Sequence, residues 1–278
     1  MENKTLQNKF SVLMAVYLKD EPSFFREALQ SLLEQSIKAT EIILVENGPL
    51  TKAHYEIIEG FREPLNITSH QLTTNKGLAY ALNKGVLLCN YDLIARMDAD
   101  DWCVSERFSL QLQTFNERPE LDLVGGGIEE FVENKSSIVG RRYVEENHSE
   151  IRKSAKYYSP VNHVTVMYKK ESAIKAGNYQ NFRGVEDYPL WVAMLINGSQ
   201  FYNIQKTLVK VRVNGLSDRR SGLAYAKVEC SVMRYFYRVG FYNAVEFLMF
   251  ASGRFFLRTI GRVALTWIYS LTTRKPSK

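Results

Sequence analysis

A mixed, mainly parallel α/β sheet flanked by helices, with a helical extension at its C-terminal end, is predicted by three features of the sequence. Short apolar runs of strand length alternate with helix-length segments between residues 10 and 101, the signature of repeated strand–helix–strand units. Turn residues and clustered carboxylates follow these runs, at the carboxyl ends of strands where such sheets bind ligands. From Ala224 onward the pattern changes to long helical segments rich in aromatics and arginine.

The elements follow in order. Phe10 to Tyr17 (FSVLMAVY) reads as a buried strand, and Pro22 opens a helix of apolar spacing, since proline is accepted in the first helical turn. Glu41 to Glu46 (EIILVE) is a second strand, Asn47-Gly48-Pro49 a turn, and Lys52 to Phe61 a helix. Asn66 to Leu72 is a third strand, Lys76 to Leu88 a helix, and Tyr91 to Met97 a fourth strand that delivers the chain into Asp98-Ala99-Asp100-Asp101. Beyond it, Glu106 to Glu117 is expected as a helix. Leu121 to Val124 and Ile128 to Phe131 are expected as two short strands around three glycines, and His148 to Tyr158 as a charged surface helix. Val164 to Tyr168, Glu186 to Ile196 and Leu208 to Val213 read as strand, helix and last strand, with Asn214 to Gly222 as a linker.

The chain has 278 residues, 45% apolar and 24% charged, an ordered globular composition. Its net charge of +6 is unevenly spread. Through Asp218 there are 25 Lys and Arg against 28 Asp and Glu, giving −3; from Arg219 there are 11 against 2, giving +9. That division argues against a general nucleic-acid binder. Three widely spaced cysteines form neither a zinc pattern nor a disulfide framework, and no apolar leader precedes the first strand, so a reducing, cytoplasmic setting is expected. The uncharged run from Tyr188 to Gln205 contains Pro189 and Asn197-Gly198-Ser199-Gln200, which suit a helix, turn and strand better than a membrane span.

Several groups are candidates for chemistry. Three aspartates within four residues repel one another, and a divalent cation bound to a nucleotide diphosphate resolves the repulsion. The alternative is a solvated turn whose Asp caps the helix beginning near Ser105. Glu186 and Asp187 open a helix, where carboxylates favour the positive dipole end; the same pair could hold a general base beside a substrate hydroxyl. Lys76, within Asn75-Lys76-Gly77 at a helix start, could meet phosphate, although turn chemistry alone explains the motif. His163 precedes an alternating strand and is either structural or part of the site. His54, His70 and His148 lie in polar contexts expected at the surface.

In order, MAVY, EIILVENGP, TTNKGLAYALNKGV, IARMDADDWCVSERFSLQ, VGGGIEEF, SPVNHVTVMYKKESAIKAGNY and EDYPLWVAMLINGSQFYNI resemble the inverting glycosyltransferases of family 2. These have the GT-A fold, and the similarity is greatest to bacterial amylovoran, O-antigen and exopolysaccharide enzymes. The resemblance covers about residues 10 to 215. It implies a UDP-hexose donor, a manganese or magnesium ion and a saccharide acceptor linked to a lipid pyrophosphate. Asp100 would be the principal metal ligand, with Asp98 at the metal and the donor ribose or sugar. Ala15, Tyr17 and Glu46 would line the uridine pocket, with Asn75 close to the nucleotide. Asp187 would be the catalytic base, Glu186 would lie near either sugar, and His163 near the diphosphate or acceptor. The implied organisation is a catalytic domain over 1–218, with a nucleotide-sugar half to about 102 and an acceptor half over about 103–218, followed by a basic amphipathic tail over 219–278.

Two positions depart from the family pattern. The second strand ends Glu46-Asn47 rather than in two aspartates, and Leu82 stands where an arginine often approaches the diphosphate. Arg96, Lys76 and Arg212 are the cations left to replace it. In the tail, Arg254, Arg258 and Arg262 recur every four residues among aromatics. This pattern suits either the inner face of an anionic cell membrane or helices packed on the catalytic domain. Two other functional classes compete with the glycosyltransferase reading: a sugar-nucleotide nucleotidyltransferase, whose glycine-rich loop is missing after the first strand, and an inactive membrane-associated module that binds nucleotide sugars.

Overall fold

A computed structural model of the chain describes residues 9–133, 135–213 and 222–259. Strands β1 (Phe10–Val16), β2 (Glu41–Glu46), β3 (Ile67–Gln71) and β4 (Leu93–Asp98) pair in parallel in the order β3-β2-β1-β4. Their apolar runs read as continuous rather than alternating because both faces are covered. Phe10, Val12, Met14, Leu44 and Met97 pack beneath α1 (Pro22–Leu33), α2 (Lys52–Arg62) and α4 (Arg107–Glu117). Leu13, Ile43, Val45 and Ile94 face the opposite layer, where α3 (Leu78–Leu88), α6 (Lys170–Lys175) and α7 (Asp187–Ile196) lie.

The sheet continues through β8 (Met167–Lys169), β6 (Leu121–Phe131), β9 (Gln200–Arg212) and β5 (Trp102–Cys103), with β7 (Ile138–Arg142) beside β6. β6 and β9 are parallel, whereas β8, β5 and β7 pair antiparallel. β6 is one strand instead of the two expected, running through Gly125-Gly126-Gly127. A Cβ on Gly126 would lie 2.4 Å from the side chain of Leu208, and register shifts flank Gly127. The glycines therefore mark close approach of β9, not a chain break. β9 is correspondingly longer than expected, because its partner is uninterrupted.

Three other local expectations shift. His163–Thr165 forms a 3-10 turn ahead of the short β8, where one strand was expected. The helix α5 (His148–Ser154) ends four residues early. His54 is fully buried rather than at the surface: its imidazole bonds Thr51 Oγ1 at 2.7 Å and the Asp20 carbonyl at 3.0 Å. The expected linker lies outside the described residues, apart from Gly222.

The C-terminal extension supplies α8 (Leu223–Arg238) and α9 (Ala244–Thr259). Val232, Met233 and Phe236 of α8 join Tyr188 and Val192 of α7 in one apolar cluster. Arg254 and Arg258 do share a helical face, as their spacing implies, but that face turns inward. Both donate to the buried carboxylate of Glu229, at 2.9 and 2.7 Å, since a buried acid requires paired cations. Arg262 and the rest of the tail from residue 260 lie outside the described residues.

Candidate active site

The parallel register sets the crevice. Ala15 stands opposite Asp98, and Val16 opposite Glu46, so the carboxyl ends of β1, β2 and β4 present Ala15, Glu46 and Asp98 at one level. Glu46 is buried, while Ala15 and Tyr17 are half-buried. The turn after β1 closes where Asp20 accepts the Tyr17 N–H at 2.9 Å, with His54 beneath it. Asn47, also buried, accepts the Lys76 N–H at 2.9 Å, which ties the Asn75-Lys76-Gly77 loop to the end of β2. Asn75 itself accepts the Gly77 N–H at 2.9 Å, and both Asn75 and Lys76 are exposed at the rim.

Acid carriers from Asp98, Asp100 and Asp101 lie within 4.8 Å of one another. Desolvation, and next the charge of Asp98, raise the Asp100 carboxyl to about 6. Burial, and then both neighbouring charges, push Asp101 well above its usual range. Asp98 is ion-paired with Arg96, and Asp101 accepts the Arg212 backbone N–H at 3.0 Å. Asp100 is the exposed member. An all-oxygen set of crowded carboxylates fits a hard divalent cation, which would relieve their repulsion.

In the second half of the chain, Asp187 begins α7 and accepts the Ser159 hydroxyl at 3.2 Å. Glu186 accepts the Gly184 N–H at 2.8 Å, and burial raises its pKa. His163 bonds the Tyr179 hydroxyl at 3.0 Å and packs edge-on to Trp191. Burial first, and then the Arg96 charge, hold it well below the usual histidine range, so it is neutral. The electrostatics bind these groups into one site. Arg96, only 2% exposed, feels the charges of Asp98 and Asp101 and acts in turn on His163 and Glu186, while the Tyr179 hydroxyl feels both Asp98 and Asp187.

Residues 11–175, well over half the chain, match the Glycosyl transferase family 2 profile. The protein belongs to glycosyltransferase family 2. An Escherichia coli relative, UDP-Gal:alpha-D-GlcNAc-diphosphoundecaprenol beta-1,3-galactosyltransferase, is 35% identical over 96% of this glycosyltransferase and 97% of its own length. An uncharacterized glycosyltransferase of Haemophilus influenzae is 38% identical, covering 96% and 100%. The amylovoran biosynthesis glycosyltransferase AmsE of Erwinia amylovora is 34% identical, covering 81% and 84%. Among solved structures, Staphylococcus aureus TarS 1–349 in complex with UDP-GlcNAc aligns with a TM-score of 0.68 at 18% identity, covering 95% of this chain and 76% of that one. The Pyrobaculum calidifontis mannosyltransferase PcManGT, in complex with GDP-Man and Mn2+, aligns with a TM-score of 0.65 at 15% identity, covering 96% and 76%. Both share the GT-A fold.

Within this glycosyltransferase two supporting residues of α4 had no signal in the sequence. Arg107 and Gln111, one turn apart on α4, are fully buried beneath β4. Arg107 donates to the Arg96 carbonyl at 2.8 Å, and Gln111 to the Val124 and Thr165 carbonyls at 2.8 Å each. Arg212 stacks on Phe24 and donates to Glu27 at 2.9 Å and to the Asp100 carbonyl at 3.3 Å. It holds the aspartate turn from below. Leu82 sits in the apolar core. Of the three cations suggested in place of an arginine there, Arg96 and Arg212 are buried and paired, and Lys76 is exposed at the rim.

The junction between β2 and the rim loop is testable. Gly48 has φ +95°, and a Cβ there would lie 2.9 Å from the Asn75 backbone nitrogen. Gly48→Ala is expected to cost about 1–3 kcal/mol of stability, read by chemical denaturation, and to weaken nucleotide binding by displacing Asn75. A variant with unchanged midpoint and unchanged affinity would contradict that packing.

Proposed function

We propose that the enzyme transfers a hexose from a UDP-sugar, with inversion, to a hydroxyl of a saccharide carried on a lipid diphosphate, during surface-polysaccharide assembly. One observation carries this reading: the buried Tyr179 hydroxyl feels the charges of both Asp187 and Asp98, and Arg96 reaches both Asp98 and Glu186, which supports a base and a cation-binding carboxylate set addressing one substrate. The E. coli relative, whose name gives a UDP-galactose donor, a diphospholipid-linked acceptor and a beta product, supports the substrate class. The family assignment removes the nucleotidyltransferase alternative.

In this mechanism Glu46 accepts the imide N–H of uracil at the end of β2, while Ala15 and Tyr17 bound the base. Asn75 and Lys76 meet the nucleotide from the rim. Ser159 fixes one oxygen of Asp187, and the other takes the proton of the acceptor hydroxyl. The hydroxyl oxygen bonds to the anomeric carbon as the bond to the diphosphate oxygen breaks, and UDP departs. One displacement converts an alpha-linked donor into a beta-linked product. Asp100 and Asp98 would hold a manganese or magnesium ion, which would supply neutralisation of the charge growing on the diphosphate. Neutral His163 contributes shape and hydrogen bonding beside that charge rather than a cation.

The test is a panel of UDP-sugars and GDP-mannose with manganese, measured first by saturation binding and then by UDP release with a diphospholipid-linked N-acetylglucosamine acceptor. A UDP-hexose is expected to saturate and turn over, and GDP-mannose to do neither. Saturable binding with no UDP release from any donor would make the chain an inactive binding module.

A further inference from the structure

The inward turn of Arg254 and Arg258 leaves a different face of the C-terminal helix pair outside. On α9, Val245, Leu248 and Met249 are 74%, 66% and 55% exposed, and Phe256 is 64% exposed further along. Steps of three and four residues from Val245, and of seven from Met249 to Phe256, place them along one side of the helix. On α8, Lys227, Arg234 and Arg238 are exposed at steps of seven and four, again on one side. The sole acid of α8, Glu229, is buried beneath the arginines. Large apolar side chains clustered in water mark an interaction surface.

We propose that this apolar stripe of α9 docks on the surface of a lipid bilayer containing anionic lipids, with the basic stripe of α8 drawing the protein to it. Three features select this occupant. The chain that continues beyond α9 contains Arg262, Arg274, Lys275 and Lys278 with Trp267 and Tyr269, and no acidic residue, which complements anionic headgroups. The same excess charge opposes pairing with a second copy, which would bring two such basic segments together. Among the described residues no helix is long and apolar enough to cross a membrane, so α9, about 24 Å long, lies along the surface. The surface stands apart from the donor chemistry above and does not depend on it.

The test is flotation of the full chain with vesicles of phosphatidylcholine alone and of equimolar phosphatidylcholine and phosphatidylglycerol. Wild type is expected to float with the anionic vesicles. Val245→Gln, Leu248→Gln and Met249→Gln together, substitutions that keep helix propensity, are expected to lower partitioning more than about tenfold while UDP binding is kept. Lys227→Gln, Arg234→Gln and Arg238→Gln together are expected to lower it on anionic vesicles only. Leu248→Gln alone, at a solvated position, gives a smaller loss in the same direction and serves if the triple variant melts early. Unchanged flotation of the apolar variants overturns the proposal. So does a loss of self-association in sedimentation with flotation intact, which would assign the face to a second copy.

Discussion

Asp187→Asn is expected to lower turnover about 100- to 10,000-fold while the affinity for UDP stays within about twofold. The asparagine keeps a carbonyl oxygen to accept the Ser159 hydroxyl, so the start of α7 stays in place and only the proton acceptor is lost. Steady-state kinetics with the lipid-linked acceptor, set beside UDP calorimetry, check both halves. Near-normal turnover would transfer the base role elsewhere, Glu186 being the adjacent carboxylate. A parallel loss of UDP affinity would mean that the substitution had disturbed the nucleotide side of the crevice.

Asp100→Ala is expected to reduce manganese-dependent binding of the UDP-sugar more than about 100-fold, because the side chain is the exposed carboxylate of the cluster and a ligand loss exceeds the penalty for losing an outer partner. Stability should move the other way. A carboxyl raised to about 6 favours the fold at low pH and loses that contribution as pH rises through 6. At neutral pH the ionised Asp100 is therefore a burden on the metal-free protein. The variant should melt no lower than wild type without metal, and manganese should no longer raise its melting temperature. Unchanged manganese-dependent affinity by calorimetry would remove Asp100 from the metal site.

The parallel half of the sheet was legible because strands buried on both faces must be written as uninterrupted apolar runs, as FSVLMAV and EIILVE are. The aspartate cluster was legible for the opposite reason: it is costly enough to need an explanation at a strand end. Side-chain partners from distant segments were not legible. Nothing around Arg96 shows that it pairs with Asp98, and nothing around Ser159 shows that it meets Asp187. Arg107 and Gln111 have the spacing of a single helix face, but the spacing does not say that β4 and β6 lie beneath it. In the same way, Arg254 and Arg258 could be placed together, whereas the inward direction of their face is decided by Glu229, 25 residues upstream.

The attachment of the C-terminal helices bears on how the chain can be cut and recombined. Lys156 is ion-paired with Glu246, Tyr242 donates to the Lys156 carbonyl at 2.6 Å, and Arg254 donates to the Tyr157 carbonyl. These contacts grip the segment that leads directly into Ser159. The helices thus brace the segment beside Asp187, the proposed base, in addition to the docking role proposed for their outer face. A chimera spliced at residue 218, or a chain shortened to that point, separates Asp187 from the elements that brace it. Its inactivity would report a loosened Asp187 before it reported any lost anchoring, so the helix pair is better kept together with the segment that carries Ser159 and Asp187 as one inherited block.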